Sequence, residues 1–198
     1  MFKKLPVYKA KVNSEDTGIF CISLVDMPAV EVDWLAFKEE KQKFEFSVED
    51  EDQHIIRGVI MRADFLIYRV SKEGFEYYIE YDKETIKKMA EKYLKMGLQN
   101  NVDTQHNFQL EEGVNMVQWF IKDTENGINP KGFEDIEDGS LFAEFKVENE
   151  DIWQQIKEGT FKGFSLAGTF DVEEVVTPEE QEYQEILSLL EKISKKIR

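Results

Sequence analysis

The chain has 198 residues, and its 41% hydrophobic content is enough for one compact domain with a core. Its 41 acidic side chains outnumber the 25 Lys and Arg, giving a formal net charge of -16. A surface this acidic repels phosphate, so nucleic acid and anionic membranes are not expected as partners. Cys21 is the single cysteine, which excludes an internal disulfide, and its apolar neighbours predict a small core residue.

The beginning of the chain has no apolar segment of the signal-peptide kind, and no stretch approaches the length of a membrane span. We therefore expect a protein of a reducing cytoplasm. Polar stretches at 38–43, 48–53 and 123–138 predict exposed loops. Runs rich in β-branched and aromatic residues predict strands at Leu5–Val12, Gly18–Val25, Ile55–Val70, Phe75–Tyr81, Val114–Ile121, Leu141–Val147 and Phe161–Val172.

Two helices are predicted from the residues that cap their beginnings and the glycines that end them. Asp82 caps an apolar stripe that runs from Ile86 to Leu94 and stops at Gly97, and Asn149 caps a shorter helix that stops at Gly159. Strands with a few interspersed helices indicate an α+β domain built around an antiparallel sheet or barrel. We assign residues 1–176 to this domain.

Residues 177–198 have a different pattern, which predicts an amphipathic C-terminal helix. Thr177, Pro178 and Glu180 form a capping box, and apolar residues then recur at helical spacing. Its apolar stripe would be buried against the domain itself, against a partner, or in a homo-oligomer.

The residues with catalytic potential are few. Ser165 lies in the segment Gly-Phe-Ser-Leu-Ala-Gly, inside an otherwise apolar strand, and glycine in a strand indicates a bulge or a close backbone approach. A serine nucleophile needs a base such as histidine, and the chain offers His54 and His106, the latter in a predicted edge strand over 101–108. From the residues alone, a structural serine and structural histidines remain the alternative. No pattern predicts a metal site or a cofactor.

Between about Gly18 and Phe170 the sequence resembles the phage prohead, or procapsid maturation, serine proteases, in particular their XkdF-like branch. The resemblance is carried by the order and spacing of several short segments, which are Leu24–Val30, Gly58–Met61, Leu66–Arg69, Tyr77–Ile79, Lys83–Ile86, Gln105–Asn107 and Lys162–Ser165, with Val147, Trp153, Ile156 and Gly159.

The resemblance implies a serine endopeptidase with a fold similar to herpesvirus assemblin, an antiparallel β-barrel-like core with a few helices. It selects Ser165 as nucleophile and His106 as general base, because His106 precedes Ser165 by 59 residues, as in the family, whereas His54 does so by 111. The implied partners are phage scaffold and major capsid precursor proteins, cleaved inside the procapsid in the host cytoplasm, with self-cleavage as a further expectation.

Two positions depart from the family pattern. Gln118 stands where relatives commonly carry a glutamate, and we expect its amide oxygen to orient the His106 ring. Ala167 stands two residues after the serine, where the family often has another glutamate. These departures leave open an alternative function, that of a catalytically degenerate protease-fold protein associated with the capsid or scaffold.

Overall fold

The computed structural model describes residues 5–26, 46–50, 53–71 and 73–175. The strands within them follow the apolar runs of the sequence. In chain order they are β1 (Val7–Lys11), β2 (Gly18–Val25), β3 (Ser47–Asp50), β4 (Ile55–Met61), β5 (Ile67–Val70), β6 (Glu76–Glu80), β7 (Val102–Thr104), β8 (Val114–Ile121), β9 (Leu141–Val147), β10 (Gly163–Thr169) and β11 (Asp171–Glu174).

The strands of the described residues form three sheets. One has the order β11-β1-β6-β5, a second β10-β2-β7, and a third β3-β4-β9-β8. An α+β class is confirmed, and most strand pairs of the described residues are antiparallel, as expected, but two pairs are parallel and no closed barrel forms. Strand β1 pairs with β6 in parallel, β2 pairs with β7 in parallel, and the three sheets of the described residues do not close into a barrel.

Both predicted helices with their predicted N-caps are confirmed as α1 (Lys83–Lys95) and α2 (Glu150–Lys157). The Asp82 carboxylate accepts a hydrogen bond from the Thr85 N–H at 2.8 Å, and the Asn149 side chain caps α2 in the same way. The apolar face of α1 packs against β2 and β9, and Tyr93 is buried there. Burying one large apolar side chain contributes about 1.5–3 kcal/mol, so α1 fixes the position of β2 beneath it.

The structure divides two of the predicted strands. Asp64 adopts a left-handed conformation, and its N–H bonds to the Tyr81 carbonyl, so the run over 55–70 turns between β4 and β5. The run over 161–172 likewise becomes β10 and β11. Strand β3 occupies part of a stretch predicted as loop, because its backbone pairs with β4 despite its polar side chains.

The predicted helix over 177–198 lies outside the described residues. Neither helix of the described part of the chain is long and apolar enough to cross a membrane.

Candidate active site

The sheet of β10, β2 and β7 brings three polar side chains into one row. Ser165 on β10 pairs with Ser23 on β2, and Ser23 pairs with Asp103 on β7. Residues opposite each other in neighbouring strands project from the same face of the sheet, so these three side chains are neighbours. All three are buried, with exposed fractions of 7%, 0% and 0% in that order.

Two glycines allow β10 to approach its neighbours closely. A Cβ at Gly168 would lie 2.5 Å from the Gly18 carbonyl oxygen, next to a register shift in the β10–β2 pairing, so the predicted bulge and close approach are confirmed. Gly58 on β4 leaves room for the ring of Phe164, which also packs against Phe145. The buried ring of Phe164 therefore anchors β10 immediately before Ser165.

His106 lies in a turn that follows β7, not in the longer edge strand that the sequence predicted. Gln105, His106 and Phe108 have φ values of 51°, 55° and 59°, which is the left-handed region. Such backbone is uncommon for residues other than glycine and concentrates at functional sites. The strand ends because the Asp103 carboxylate accepts a hydrogen bond from the Phe108 N–H at 2.8 Å, which requires the chain to fold back.

The turn places the imidazole of His106 between two hydroxyl groups. Its Nε2 atom lies 2.9 Å from Ser165 Oγ, and its Nδ1 atom lies 2.8 Å from Ser23 Oγ. A distance of 2.9 Å is within the range expected for a nucleophile and its base. If Nδ1 carries the ring proton and donates it to Ser23 Oγ, Nε2 is free to accept the Ser165 proton.

Gln118 does not fill the position expected for it. It is exposed on β8, opposite Glu144 of β9 in the third sheet, whereas the His106 nitrogen that it was expected to contact faces Ser23. Local sequence contained one signal for Ser23, a hydroxyl within the apolar run Ile22-Ser23-Leu24. Its role was not visible because β2 and β10 are more than 130 residues apart in the chain.

The other histidine has a structural environment. The ring of His54 stacks on Trp153 with centroids 4.4 Å apart, and its Nδ1 lies 3.2 Å from the Val147 carbonyl oxygen. The structure therefore does not bring His54 to Ser165.

Cys21 is buried on β2, as predicted, and Ala167 of β10 is its register partner. Burial, together with the nearby negative charge of Asp103, raises the pKa of the Cys21 thiol to about 11. The thiol therefore stays protonated and is not activated, whereas the Ser165 hydroxyl lies against His106 Nε2, so Ser165 is the candidate nucleophile.

A narrow cavity of about 30 Å³ opens beside Ser165. This exceeds the roughly 10–15 Å³ that a cavity needs to hold one water molecule. The cavity is lined by residues 59–62 at the end of β4, by Ile67 and Arg69 of β5, by Tyr81, and by residues 164–166 of β10. Phe164 and Leu166 project from the face of β10 opposite to the Ser165 hydroxyl, so this cavity lies on the other face of the strand.

Comparison with known proteins identifies a family. Residues 43–174 match the model of the family described as "Putative phage serine protease XkdF". The chain is also similar to the uncharacterized protein YqbD of Bacillus subtilis (strain 168), with 31% identity over 169 residues, which is 81% of this chain. It spans 48% of that relative's length. No solved structure matches it. On the extent of the family match, the chain belongs to this XkdF family.

Proposed function

We propose that this protein is a serine endopeptidase of a tailed phage that cleaves scaffold and major capsid precursor proteins during procapsid maturation. The observation that carries the proposal is the 2.9 Å contact between Ser165 Oγ and His106 Nε2. Membership of the phage serine protease family supports the same reaction class.

In the proposed reaction, His106 Nε2 takes the Ser165 proton while Oγ attacks the carbonyl carbon of a peptide bond. The tetrahedral intermediate collapses when the imidazolium returns that proton to the leaving amine, which leaves an acyl group on Ser165. A water molecule then attacks the ester, again losing its proton to Nε2, and Ser165 Oγ recovers a proton as the carboxylic acid product departs. No metal or cofactor takes part in these steps.

The proposed substrates are large proteins that assemble around the enzyme. The proposed location is the interior of the procapsid, in the cytoplasm of the host cell. Self-cleavage belongs to the same proposal, as does self-association through residues 177–198, whose sequence has an apolar stripe at helical spacing. The net charge of -16 disfavours contact with the packaged nucleic acid.

Co-expression with the scaffold and capsid precursors of the same phage tests this function. Wild type should cleave them, and Ser165→Ala and His106→Asn should not. Asn is chosen at position 106 because it tolerates a left-handed backbone. Ser14→Ala and His54→Asn are matched controls, since Ser14 is exposed and the His54 ring stacks on Trp153.

Cleavage that persists in Ser165→Ala would contradict the proposal. A folded wild type that cleaves neither precursor would favour the degenerate protease-fold alternative. Intact-mass measurement after long incubation, with Ser165→Ala beside wild type, tests self-cleavage: a shortened mass is expected for wild type alone, and identical masses would count against it.

A further inference from the structure

The edge strand β8 of the third sheet has no charged side chain. Its sequence, Val-Asn-Met-Val-Gln-Trp-Phe-Ile, contains no Asp, Glu, Lys or Arg, although 33% of the chain is charged. Strand β8 ends the order β3-β4-β9-β8, so one of its edges pairs with β9 and no described strand pairs with the other. An open strand edge without charge or proline is a template for pairing with another chain.

The open edge of β8 presents backbone groups near its C-terminal end. The N–H of Lys122, the residue after β8, bonds to the Ser140 carbonyl at the start of β9. Alternate residues of an antiparallel strand direct their N–H and C=O groups to opposite sides. The N–H and C=O groups of Trp119 and Ile121 therefore point away from β9, towards the open edge.

A groove of about 340 Å³ is lined by residues 116–119 of β8, and two buried polar atoms in its lining lack partners. Among the described residues, Trp119 Nε1 and Gln99 Oε1 have no hydrogen-bond partner. Leu94 and Val117, which also line the groove, are 45% and 48% exposed. The indole N–H needs an acceptor and the amide oxygen needs a donor, and a polypeptide backbone presents both kinds of group. Edge and groove together have the chemistry of a strand-binding site.

The distribution of charge indicates which chain would pair there. The net charge is -16, so two copies repel each other at long range. The edge strands β3 and β11 contain acidic residues, where a basic partner would be attracted but a second copy would place carboxylates against carboxylates. Strand β10 is also uncharged, but its Phe164 and Ser165 are buried. Strand β8 is the edge at which two acidic copies can meet without opposing charges.

We infer that β8 is a self-association site, at which the β8 strands of two copies pair antiparallel about a twofold axis. A register centred on Phe120 opposes Trp119 of one copy to Ile121 of the other, so that the outward N–H and C=O groups of both residues bond across the interface. This site is separate from the self-association proposed for residues 177–198. It does not depend on the peptidase function, because β8 and Ser165 belong to different sheets.

Sedimentation equilibrium of the full chain at increasing concentration tests the pairing. We expect the wild-type mass to rise from 23.3 kDa towards that of a dimer. Added salt should strengthen the association, because it screens the repulsion between the acidic copies. Val117→Glu, which places a carboxylate in the groove beside the open edge, should weaken the association by about tenfold or more.

Val172→Glu is the matched control, since Val172 is a similarly exposed valine on the edge strand β11 and the added charge is the same. It should associate within about twofold of wild type. A wild type that stays monomeric up to its highest soluble concentration overturns the inference. So does a Val117→Glu variant that associates as strongly as wild type, because the contact would then lie elsewhere, such as in residues 177–198. Melting curves show whether both variants are folded during the measurement.

Amide hydrogen exchange of wild type gives a second readout that needs no variant. The N–H groups of Trp119 and Ile121 should exchange more slowly as the protein concentration rises, because pairing protects them. Exchange at these positions that does not depend on concentration would also reject the inference. Labelling of Ser165 by a fluorophosphonate probe, which reacts with activated serines, tests the proposed function separately. A wild type that pairs through β8 but does not label would retain this interface and reject the peptidase.

Discussion

The turns that carry His106 and His54 have much in common, and their differences indicate what makes a reactive site in this fold. Both histidines have a φ of 55°, and both have a hydrogen-bonding partner at Nδ1. The ring of His54 covers the face of Trp153, whereas the ring of His106 lies edge-on between Ser23 and Ser165. A strained backbone and an oriented ring are therefore not sufficient, and the hydroxyl at the second nitrogen distinguishes the candidate site.

Replacing each histidine by asparagine should give the largest difference in Ser165 labelling between the two turns. His106→Asn is expected to reduce fluorophosphonate labelling of Ser165 by about 10³-fold or more, because the serine loses its base. His54→Asn should label within about twofold of wild type but unfold more easily, by about 1 kcal/mol, because its stacking on Trp153 is lost. Labelling rates and urea denaturation of the two variants test these expectations. The comparison fails if His54→Asn slows labelling as much as His106→Asn does.

An acid titration separates the pH dependence of fold stability, to which Asp82 contributes, from that of Ser165 labelling. Burial opposes ionisation of Asp82, but hydrogen bonds from Thr85 and the ammonium of Lys11 outweigh it and lower its pKa from 3.8 to about 2. Because the folded pKa is depressed, the contribution of Asp82 to stability is complete above about pH 4 and is lost as the pH falls towards 2.

Asp82→Ala should therefore destabilise the protein by about 1 kcal/mol at pH 7 and by less at pH 2, since it removes a helix cap. Urea denaturation at the two pH values measures this, with the exposed Asp171→Asn as control. A destabilisation that grows on acidification would contradict this assignment. With a pKa of about 2, Asp82 stays ionised between pH 7 and pH 5. A loss of Ser165 labelling in that range would therefore come from another group.

The smallest effect is expected at Gln118. It is exposed on β8 in a different sheet from the Ser165 row, so Gln118→Ala should change the labelling rate by less than about twofold. Ser23→Ala, measured alongside it, should slow labelling clearly. Equal and large losses in both variants would restore Gln118 as a residue that orients the ring.

Local sequence correctly predicted the helices and strands whose boundaries depend on residues nearby in the chain. The caps at Asp82 and Asn149, the apolar stripes that follow them, and the strands β2, β8 and β9 all appear at the predicted positions. The glycine at 168 also indicated the bulge in β10 correctly. Such features depend on neighbours within a few residues, and the sequence displays those directly.

The pairing of the strands and the residues around His106 could not be predicted from local sequence. The parallel pairing of β2 with β7 is a long-range choice, and it alone makes Asp103 a neighbour of Ser23. The strand predicted over 101–108 is too long. Alternation of polar and apolar residues does not reveal that the Asp103 carboxylate accepts a hydrogen bond from the Phe108 N–H and so turns the chain back. His106 and Ser165 were linked beforehand through the family resemblance, since no local pattern joins residues 59 positions apart.

The proposed chemistry depends on activation of the Ser165 hydroxyl by His106. The most direct measurement is mass-spectrometric mapping of the fluorophosphonate adduct on native wild type, beside Ser165→Ala and His106→Asn. We expect one adduct on Ser165 in wild type, none in Ser165→Ala, and almost none in His106→Asn. An adduct on another residue, or equal labelling of Ser165 with and without His106, would contradict this activation.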